Sequence, residues 1–155
     1  MSIYYQDVGY LSDPHHGRSQ IDYLFTSGDT TISWRSVKHT ITATSSNHAE
    51  LLALHEASRE CVWLRSLIQH IQNNYGLSSE RMDATIIYED NTVCIAQLKK
   101  GYIKGDRTKH ISPKFFFTHD LKKNGDINIQ QICLCDNLAN VLQSHSQVKF
   151  LRNFY

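Results

Sequence analysis

The sequence lacks the features of membrane and secreted proteins. No apolar run approaches the roughly 20 residues that a membrane-spanning helix needs. Residues 1–7 contain neither the basic nor the apolar region of a signal peptide. We therefore expect an intracellular protein, in the cytoplasm or the nucleus, that has no membrane partner. Internal repeats, low-complexity tracts and linkers are also missing, and a length of 155 residues predicts a single domain over 1–155.

The sequence also lacks the spacings of cysteine and histidine that indicate a zinc site. Its four cysteines are scattered, and only Cys133 and Cys135 are close enough to share one face of a strand. Because no second pair at zinc-finger spacing accompanies them, we expect buried, reduced thiols. The nine histidines include no His-Glu-x-x-His motif.

A strong overall charge is absent too, which argues against a dedicated electrostatic nucleic-acid binder. The net charge is only +1. The stretch 99–114 nevertheless has six basic residues against a single acid, Asp106, with Tyr102 and two glycines between them. Such a basic loop suits a phosphate backbone together with a stacked base or sugar. A solvated surface loop has the same composition, and both interpretations stay open at this point.

Hydrophobic periodicity predicts the element order βββ-α-β-α-α-β-α, which is a mixed α/β sheet with helices packed on its faces. The predicted strands cover residues 3–8, 21–26, 31–36, 85–88 and 126–132, with a hairpin turn at 27–30. The predicted helices cover 47 to about 72, a short segment after 92, 112–123 and 136–142. In the long helix, Asn47 is predicted as the N-cap and Glu50 as its capping-box partner. Trp34 and Trp63 are interpreted as core residues.

Three acidic residues stand where an apolar segment stops or a helix begins. Asp7 closes the run 3–6, Glu50 lies in the first turn of the long helix, and Asp90 ends the run 84–89. Hard cations take oxygen ligands, and two such ions can stabilise both the attacking and the leaving oxygen of a phosphodiester. Carboxylates gathered from strand ends and a nearby helix therefore point to metal-dependent cleavage of nucleic acid.

Each of these acids also has a purely local explanation. Asp7 fits a turn, Glu50 fits a capping box, and Asp90 fits the N-cap of the helix that follows it. The switch from strand to helix is where open α/β sheets place ligands, which favours a site at Asp90. For Asp7 and Glu50, the residues alone leave the metal-binding and the local interpretation both open.

Eight short blocks follow one another along nearly the whole chain without large gaps. They are YQDVGYLSDP (5–14), RSQIDY (18–23), ISWRS (32–36), TSSNHAE (44–50), WLR (63–65), YEDN (88–91), RTKHI (107–111) and DNLAN (136–140). In this order they resemble the ribonuclease H domain at the C-terminal end of the polyprotein of copia-type LTR retrotransposons. Any single block is weak, but eight blocks in register are specific.

The resemblance implies a ribonuclease H-like fold with a mixed five-stranded sheet. It also implies an endoribonuclease that cuts the RNA strand of an RNA–DNA hybrid, with water as nucleophile and two Mg²⁺ ions as cofactors. The family's catalytic, metal-binding carboxylates fall on Asp7, Glu50 and Asp90, whereas its fourth catalytic residue, an Asp, falls on Asn140. Because an amide is neutral, we expect a weakened second ion, impaired cleavage and partial rescue by Mn²⁺. Asp136, one helical turn earlier, aligns with a different acidic position of the family.

The basic loop 99–114 is where we expect the hybrid to bind. The residues expected to contact nucleic acid are Lys99, Lys100, Tyr102, Lys104, Arg107, Lys109, His110 and Lys114. His110 and His119 are candidate proton shuttles, and a structural or phosphate-contacting imidazole is the alternative for each. The expected partners are the RNA–DNA hybrid and a reverse transcriptase domain of the parent polyprotein, and we expect a monomer.

Two other classes of function remain in competition with the nuclease. One is a non-catalytic nucleic-acid-binding remnant, which the neutral Asn140 favours. The other is a purely structural domain that was once tethered to a reverse transcriptase. Transposase and integrase cores also place three carboxylates on such a sheet, but the basic loop and the eight blocks argue against them here.

Overall fold

Five strands and three helices make up the part of the chain that the computed structural model describes, namely residues 2–6, 19–28, 30–38, 43, 45–77, 82–103 and 109–133. In chain order they are β1 (Ser2–Gln6), β2 (Gln20–Ser27), β3 (Thr30–Lys38), α1 (Ser46–Asn74), β4 (Thr85–Glu89), α2 (Thr92–Lys100), α3 (Ser112–Lys123) and β5 (Ile127–Gln131). This order confirms the predicted one up to the last strand, and the predicted helix 136–142 lies outside the described residues. None of the three helices is both long and apolar enough to cross a membrane.

The strands form one mixed sheet in the order β3-β2-β1-β4-β5. The first three strands pair antiparallel, whereas β4 pairs parallel with both β1 and β5. The turn between β2 and β3 places Gly28 at a φ of 60°, a conformation that glycine adopts without steric cost. The predicted five-stranded mixed sheet and its hairpin are therefore confirmed.

The long helix α1 supplies much of the core. On β2, Ile21, Tyr23 and Phe25 alternate along the strand and lie in the same buried cluster as the inner residues of α1. The helix contributes Ala49, Leu51, Leu52, Ala53, Leu54, Ala57, Cys61 and Leu64 to this cluster. The helix α3 packs on α1 and adds the buried Phe115.

Arg65 ties the middle of α1 to the amino end of β4. Its Nη1 donates to the Asp83 carbonyl at 2.6 Å and to Thr85 Oγ1 at 3.1 Å, and its Nη2 donates to the Met82 carbonyl at 3.2 Å. The carboxylate of Asp126 lies 4.0 Å from Nη2. We call these contacts the Arg65 clamp. The clamp lies beside the first residue of β4, and the turns of α1 that precede Arg65 lie towards the carboxyl end of that strand.

The start of α1 differs from its prediction. Ser45 is the N-cap, and its Oγ accepts a hydrogen bond from the His48 amide at 3.2 Å. Asn47 already lies inside the helix, and its Nδ2 donates to Gln97 Oε1 on α2 at 2.9 Å. The predicted capping box of Asn47 and Glu50 is therefore wrong, because the earlier serine satisfies the orphan amide and leaves Asn47 to join α1 to α2.

Both tryptophans were predicted in the core, and that prediction is wrong. Trp34 is 52% exposed and Trp63 is 57% exposed. Trp34 lies on β3, an edge strand whose residues are nearly all exposed, and Trp63 lies on the outer side of α1. Of the cysteines, Cys61 and Cys94 are buried free thiols as expected. Cys133 is exposed, which corrects that expectation, and Cys135 lies outside the described residues.

Candidate metal centre and nucleic-acid surface

The carboxyl ends of β1 and β4 meet at one edge of the sheet. The two strands are parallel neighbours, with Tyr4 opposite Tyr88, so the chain leaves both strands on the same side. Asp90 directly follows β4 at this edge. Asp7 directly follows β1 in the sequence, but it lies outside the described residues, as does Asn140. The structure thus describes two of the four predicted catalytic positions.

Those two positions come together. One carboxylate oxygen each from Glu50, Glu89 and Asp90 lies within 4.8 Å of the other two. Glu50 reaches this point from the first turns of α1, and it is only 8% exposed. We call these three residues the acid cluster. Convergence of oxygens from a strand end and a helix start is the donor set that a hard divalent cation requires.

The competing local roles of the predicted acids are taken by other residues. Ser45 caps α1, so Glu50 is not needed at the helix start. Asn91 caps α2, because its Oδ1 accepts from the amides of Val93 at 3.0 Å and Cys94 at 3.1 Å. Asp90 therefore is not the N-cap of α2. Removal of both capping explanations favours the metal-binding interpretation.

Glu89 belongs to the acid cluster and was missed by the sequence analysis. It is the last residue of β4 and is only 1% exposed. Its Oε1 accepts the Asn91 amide at 2.8 Å, whereas its Oε2 finds no hydrogen-bond partner among the described residues. Burial raises the pKa of Glu89 well above its ordinary value, and the Asp90 carboxylate raises it further, against the hydrogen bonds from the Asn91 and Asp90 amides. The signal that could have found it is alternation, since residues 85, 87 and 89 share one buried face of β4.

The acid cluster also affects the pKa of the Cys94 thiol. Cys94 is fully buried in the first turn of α2. Burial raises its pKa well above the ordinary value, and Glu89, Glu50 and Asp90 raise it further in that order. Cys94 is thus a neutral thiol next to the acid cluster, which makes it a poor candidate for a thiolate ligand or nucleophile.

The residues predicted to contact nucleic acid do not all lie on one part of the surface. Lys99 and Lys100 end α2, Tyr102 follows them, and all three side chains are exposed, as are Lys109 and His110. Lys104 and Arg107 lie outside the described residues. A further basic residue, Lys122 on α3, lies near Lys99: its pKa is lowered by burial first and then by the Lys99 charge.

Lys114 stands apart from the rest of the predicted basic set. Its Nζ lies 3.5 Å from Glu56 Oε1 on α1. It lines a groove between β3 and α1 together with Arg35 and Arg59. The structure therefore does not group Lys114 with the end of α2.

The two candidate proton shuttles occupy different surroundings. His110 lies close enough to the first turn of α1 to lower the pKa of His48, although burial of His48 has the larger effect. His119 stacks on Phe115, with ring centres 6.2 Å apart. It also packs against Gly101, where an added Cβ would lie 2.8 Å from His119 Nε2. Of the two, His110 is the one near the start of α1, where Glu50 enters the acid cluster.

Comparison with curated proteins finds a retrotransposon polyprotein among the relatives of this chain. The chain is 28% identical over 138 residues to the "Retrovirus-related Pol polyprotein from transposon TNT 1-94" of Nicotiana tabacum, a match over 89% of this chain and 10% of that protein. It is 42% identical over 60 residues to "Secreted RxLR effector protein 161" of Plasmopara viticola, covering 39% of this chain and 42% of that protein. The chain thus spans a tenth of the first relative and less than half of the second. No family model matches the sequence.

Comparison with solved structures finds the same fold in ribonucleases H. RNase H1 from the halophilic archaeon Halobacterium salinarum NRC-1 gives a TM-score of 0.56 at 17% identity, over 94% of both chains. LC11-RNase H1 in complex with an RNA/DNA hybrid gives 0.57 at 18% identity, over 91% of this chain and 90% of that one. The Prototype Foamy Virus Protease-Reverse Transcriptase gives 0.53 at 14% identity, over 94% of this chain and 19% of that one. These likenesses concern the fold.

Proposed function

We propose that this chain, which has the fold of ribonucleases H and is similar to a retrotransposon Pol polyprotein, is a metal-dependent endoribonuclease that cleaves the RNA strand of RNA–DNA hybrids. The observation that supports this activity is the acid cluster, in which Glu50 and Asp90 converge with Glu89 at the carboxyl edge of the sheet. A second supporting observation is that neither predicted acid caps a helix. The proposed role is hydrolysis of the hybrid during reverse transcription.

In this proposal the acidic side chains position a divalent cation against the scissile phosphate. Glu50 and Asp90 hold the cation, with Asp7 as the further carboxylate that the sequence places after β1. Two Mg²⁺ ions, when bound, stabilise the attacking water and the leaving oxygen. Burial of Glu50 keeps bulk water from competing for its oxygens and strengthens its attraction for a cation. His110 is proposed to contact a phosphate or to move a proton near the start of α1.

The neutral Asn140 is proposed to reduce activity. A carboxylate at this position would add a negative charge that an amide lacks, so the second ion binds more weakly. Substituting Asn140→Asp should raise cleavage most at low Mg²⁺ concentration, and Mn²⁺ should partly rescue the unmodified protein. Equal rates for the two proteins across a Mg²⁺ titration would contradict this proposal.

The hybrid is proposed to lie along the exposed basic residues that follow the acid cluster in the chain. Lys99 and Lys100 supply charge for the phosphates, and Tyr102 supplies an exposed ring for a sugar or base. The remaining proposed contacts are Lys104, Arg107, Lys109 and His110. Lys114 is a weaker candidate, because Glu56 partly neutralises it. A reverse transcriptase domain of a parent polyprotein is proposed as the partner that helps to hold the hybrid.

Cleavage of a labelled RNA–DNA hybrid by the purified chain tests the proposed activity. The substitution Asp90→Asn should abolish Mg²⁺-dependent cleavage, because it removes one charged ligand without changing the side-chain shape. The matched control is Asp120→Asn on α3, whose carboxylate is 70% exposed and outside the acid cluster. Metal-dependent cleavage that survives Asp90→Asn would place the activity elsewhere.

A non-catalytic nucleic-acid-binding remnant is the second candidate, and Asn140 is the observation that favours it. If the chain only binds nucleic acid, its affinity for the hybrid should fall steeply as the salt concentration rises, since the contacts are mainly to phosphates. No cleavage is then expected with either Mg²⁺ or Mn²⁺. The same purified protein and hybrid therefore separate the two candidates.

A further inference from the structure

Glu89 is a buried acid in an unusual electrostatic position. It lies at the end of a central strand, only 1% of its surface is exposed, and it belongs to the acid cluster. The charged neighbour that acts on it is Asp90, which repels a negative charge. Among the described residues no lysine, arginine or histidine offsets the charge of Glu89. Buried charges in proteins are normally paired or bound to a metal.

The hydrogen bonds of Glu89 leave part of the carboxylate unused. Its Oε1 accepts the Asn91 amide at 2.8 Å, which fixes the side chain against the turn between β4 and α2. Its Oε2 is buried without a partner in the described part of the chain. A carboxylate that served only the turn would leave this oxygen desolvated and unsatisfied. A bound cation would satisfy Oε2 of Glu89.

The distances within the acid cluster suit one shared cation. Oxygens bound to the same Mg²⁺ ion at about 2.1 Å can lie at most about 4.2 Å apart. The oxygens of Glu50, Glu89 and Asp90 lie within 4.8 Å of one another. Adjacent oxygens on an octahedral ion lie about 3 Å apart, so a movement of about 1 Å or less by each oxygen, within the range of a side-chain rotation, closes the three around an ion.

We propose that Glu89 is a further metal ligand of the acid cluster, where its carboxylate binds the same cation as Glu50 and Asp90. The inference rests on the proposed nuclease function and names one more residue of its metal centre. Glu89 brings a third carboxylate to the site, which strengthens the attraction for a divalent ion.

Direct Mn²⁺ binding measured by calorimetry on the purified chain tests this role without relying on activity. Glu89→Gln keeps the side-chain shape and an oxygen that can accept the Asn91 amide, so the turn is preserved. We expect its Mn²⁺ affinity to fall by at least about tenfold. Glu89→Asp keeps the charge on a shorter side chain, and it should bind with intermediate affinity. Unfolding of each variant in EDTA shows that the fold is retained.

A matched control separates the loss of a metal ligand from a general loss of negative charge. Asp120→Asn is the control for loss of an exposed acid, and it should bind as the parent does.

The outcomes separate this inference from the proposed function. If Asp90→Asn loses Mn²⁺ and Glu89→Gln binds as tightly as the parent, Glu89 only stabilises the turn and the nuclease proposal stands. If Glu89→Gln and Asp120→Asn weaken Mn²⁺ binding equally, the loss reflects the total charge of the protein and the inference is wrong. If the parent itself binds no Mn²⁺ and cuts no hybrid, both the inference and the proposed function are wrong.

Discussion

The two halves of α1 have similar sequence patterns and very different surroundings. Buried residues occur from Ala49 to Leu64, whereas Leu67 is 39% exposed and Ile71 is also exposed. The helix has 29 residues and is about 43 Å long, but the five residues of β4 extend only about 17 Å. The Arg65 clamp marks where the strand begins, so the helix continues past the sheet beyond this point. Amphipathic spacing thus predicts that a helix forms, while the length of the sheet decides how much of it is buried.

The largest effect on cleavage is expected at Glu50. It is compared with Glu60, an acid of the same helix that lies outside the acid cluster. Glu50→Gln should lower Mg²⁺-dependent cleavage of a hybrid by about a hundredfold or more, because a charged metal ligand contributes several kcal/mol to transition-state stabilisation. The matched control Glu60→Gln changes an acid that accepts a hydrogen bond from Ser33 Oγ at 3.3 Å, away from the acid cluster. Equal loss in the two variants would mean that the acid cluster gives Glu50 no special role in cleavage.

A leucine in each half provides the corresponding test of stability. Leu52→Ala should lower the free energy of unfolding by about 2–5 kcal/mol, because Leu52 is fully buried and its truncation leaves a cavity. Leu67→Ala should cost less than about 1 kcal/mol, since this side chain already contacts solvent. Urea unfolding monitored by circular dichroism measures both. Similar losses would mean that the outer half of α1 is covered in solution.

A histidine in each half extends the comparison to pH. Burial lowers the pKa of His55 to about 4, with the Lys114 and Arg59 charges acting in the same direction and Glu56 against them. The ring packs edge-on against Phe117 at 5.2 Å between centres. Because the folded protein holds His55 neutral, the unfolded chain binds the proton more readily below about pH 6.5. The contribution of His55 to stability is therefore full above that pH and is lost as the pH falls towards 4, by up to about 3 kcal/mol.

Variants of the two histidines isolate this dependence on pH. His55→Gln should flatten the fall in unfolding free energy between pH 7 and pH 4. His70→Gln, on the exposed half of α1, should leave the slope as it is in the parent. Urea unfolding at several pH values in this range measures the slopes. Parallel curves for the parent and His55→Gln would contradict the assignment.

The smallest predicted effect concerns the first residues of the buried half. Ser45→Ala should cost about 1 kcal/mol, because the hydroxyl that accepts the His48 amide is removed. Ser46→Ala places the same substitution at the first helical residue, which is exposed, and should be nearly neutral. Thermal unfolding of the pair measures the difference. A larger cost at Ser46 would show that the cap has been assigned one residue too early.

Much of the fold could be predicted from local patterns. The bounds of α3 at Ser112–Lys123 match their prediction, and the hairpin at 27–30 was recognisable from its turn residues. These elements depend on short-range signals, namely periodicity, glycine and capping. The two tryptophans were misplaced because the position of an edge strand and the outer side of a helix depend on the assembled sheet. The resemblance to a retrotransposon ribonuclease H domain is confirmed, while its assignment to the copia type stays a prediction.

The candidate site could be predicted only in part. Glu50 and Asp90 were predicted because the resemblance and the element ends coincide there. The structure brings their carboxylates together, while their catalytic role stays a prediction. Glu89 was read as the last residue of an apolar run, since its direction depends on the strand face that becomes buried. The positions of Asp7 and Asn140, and the use of two ions, stay predictions.

The hydrogen bonds of Arg65 divide α1 into two parts that differ in how well they should tolerate change. Residues before Arg65 must keep the distance between a helix start and a strand end, which leaves little tolerance for insertion or for change of volume. Residues 66–77 are mostly exposed, so substitutions there change the surface without moving the carboxylates. A chemical label is therefore best attached to a side chain of this exposed stretch.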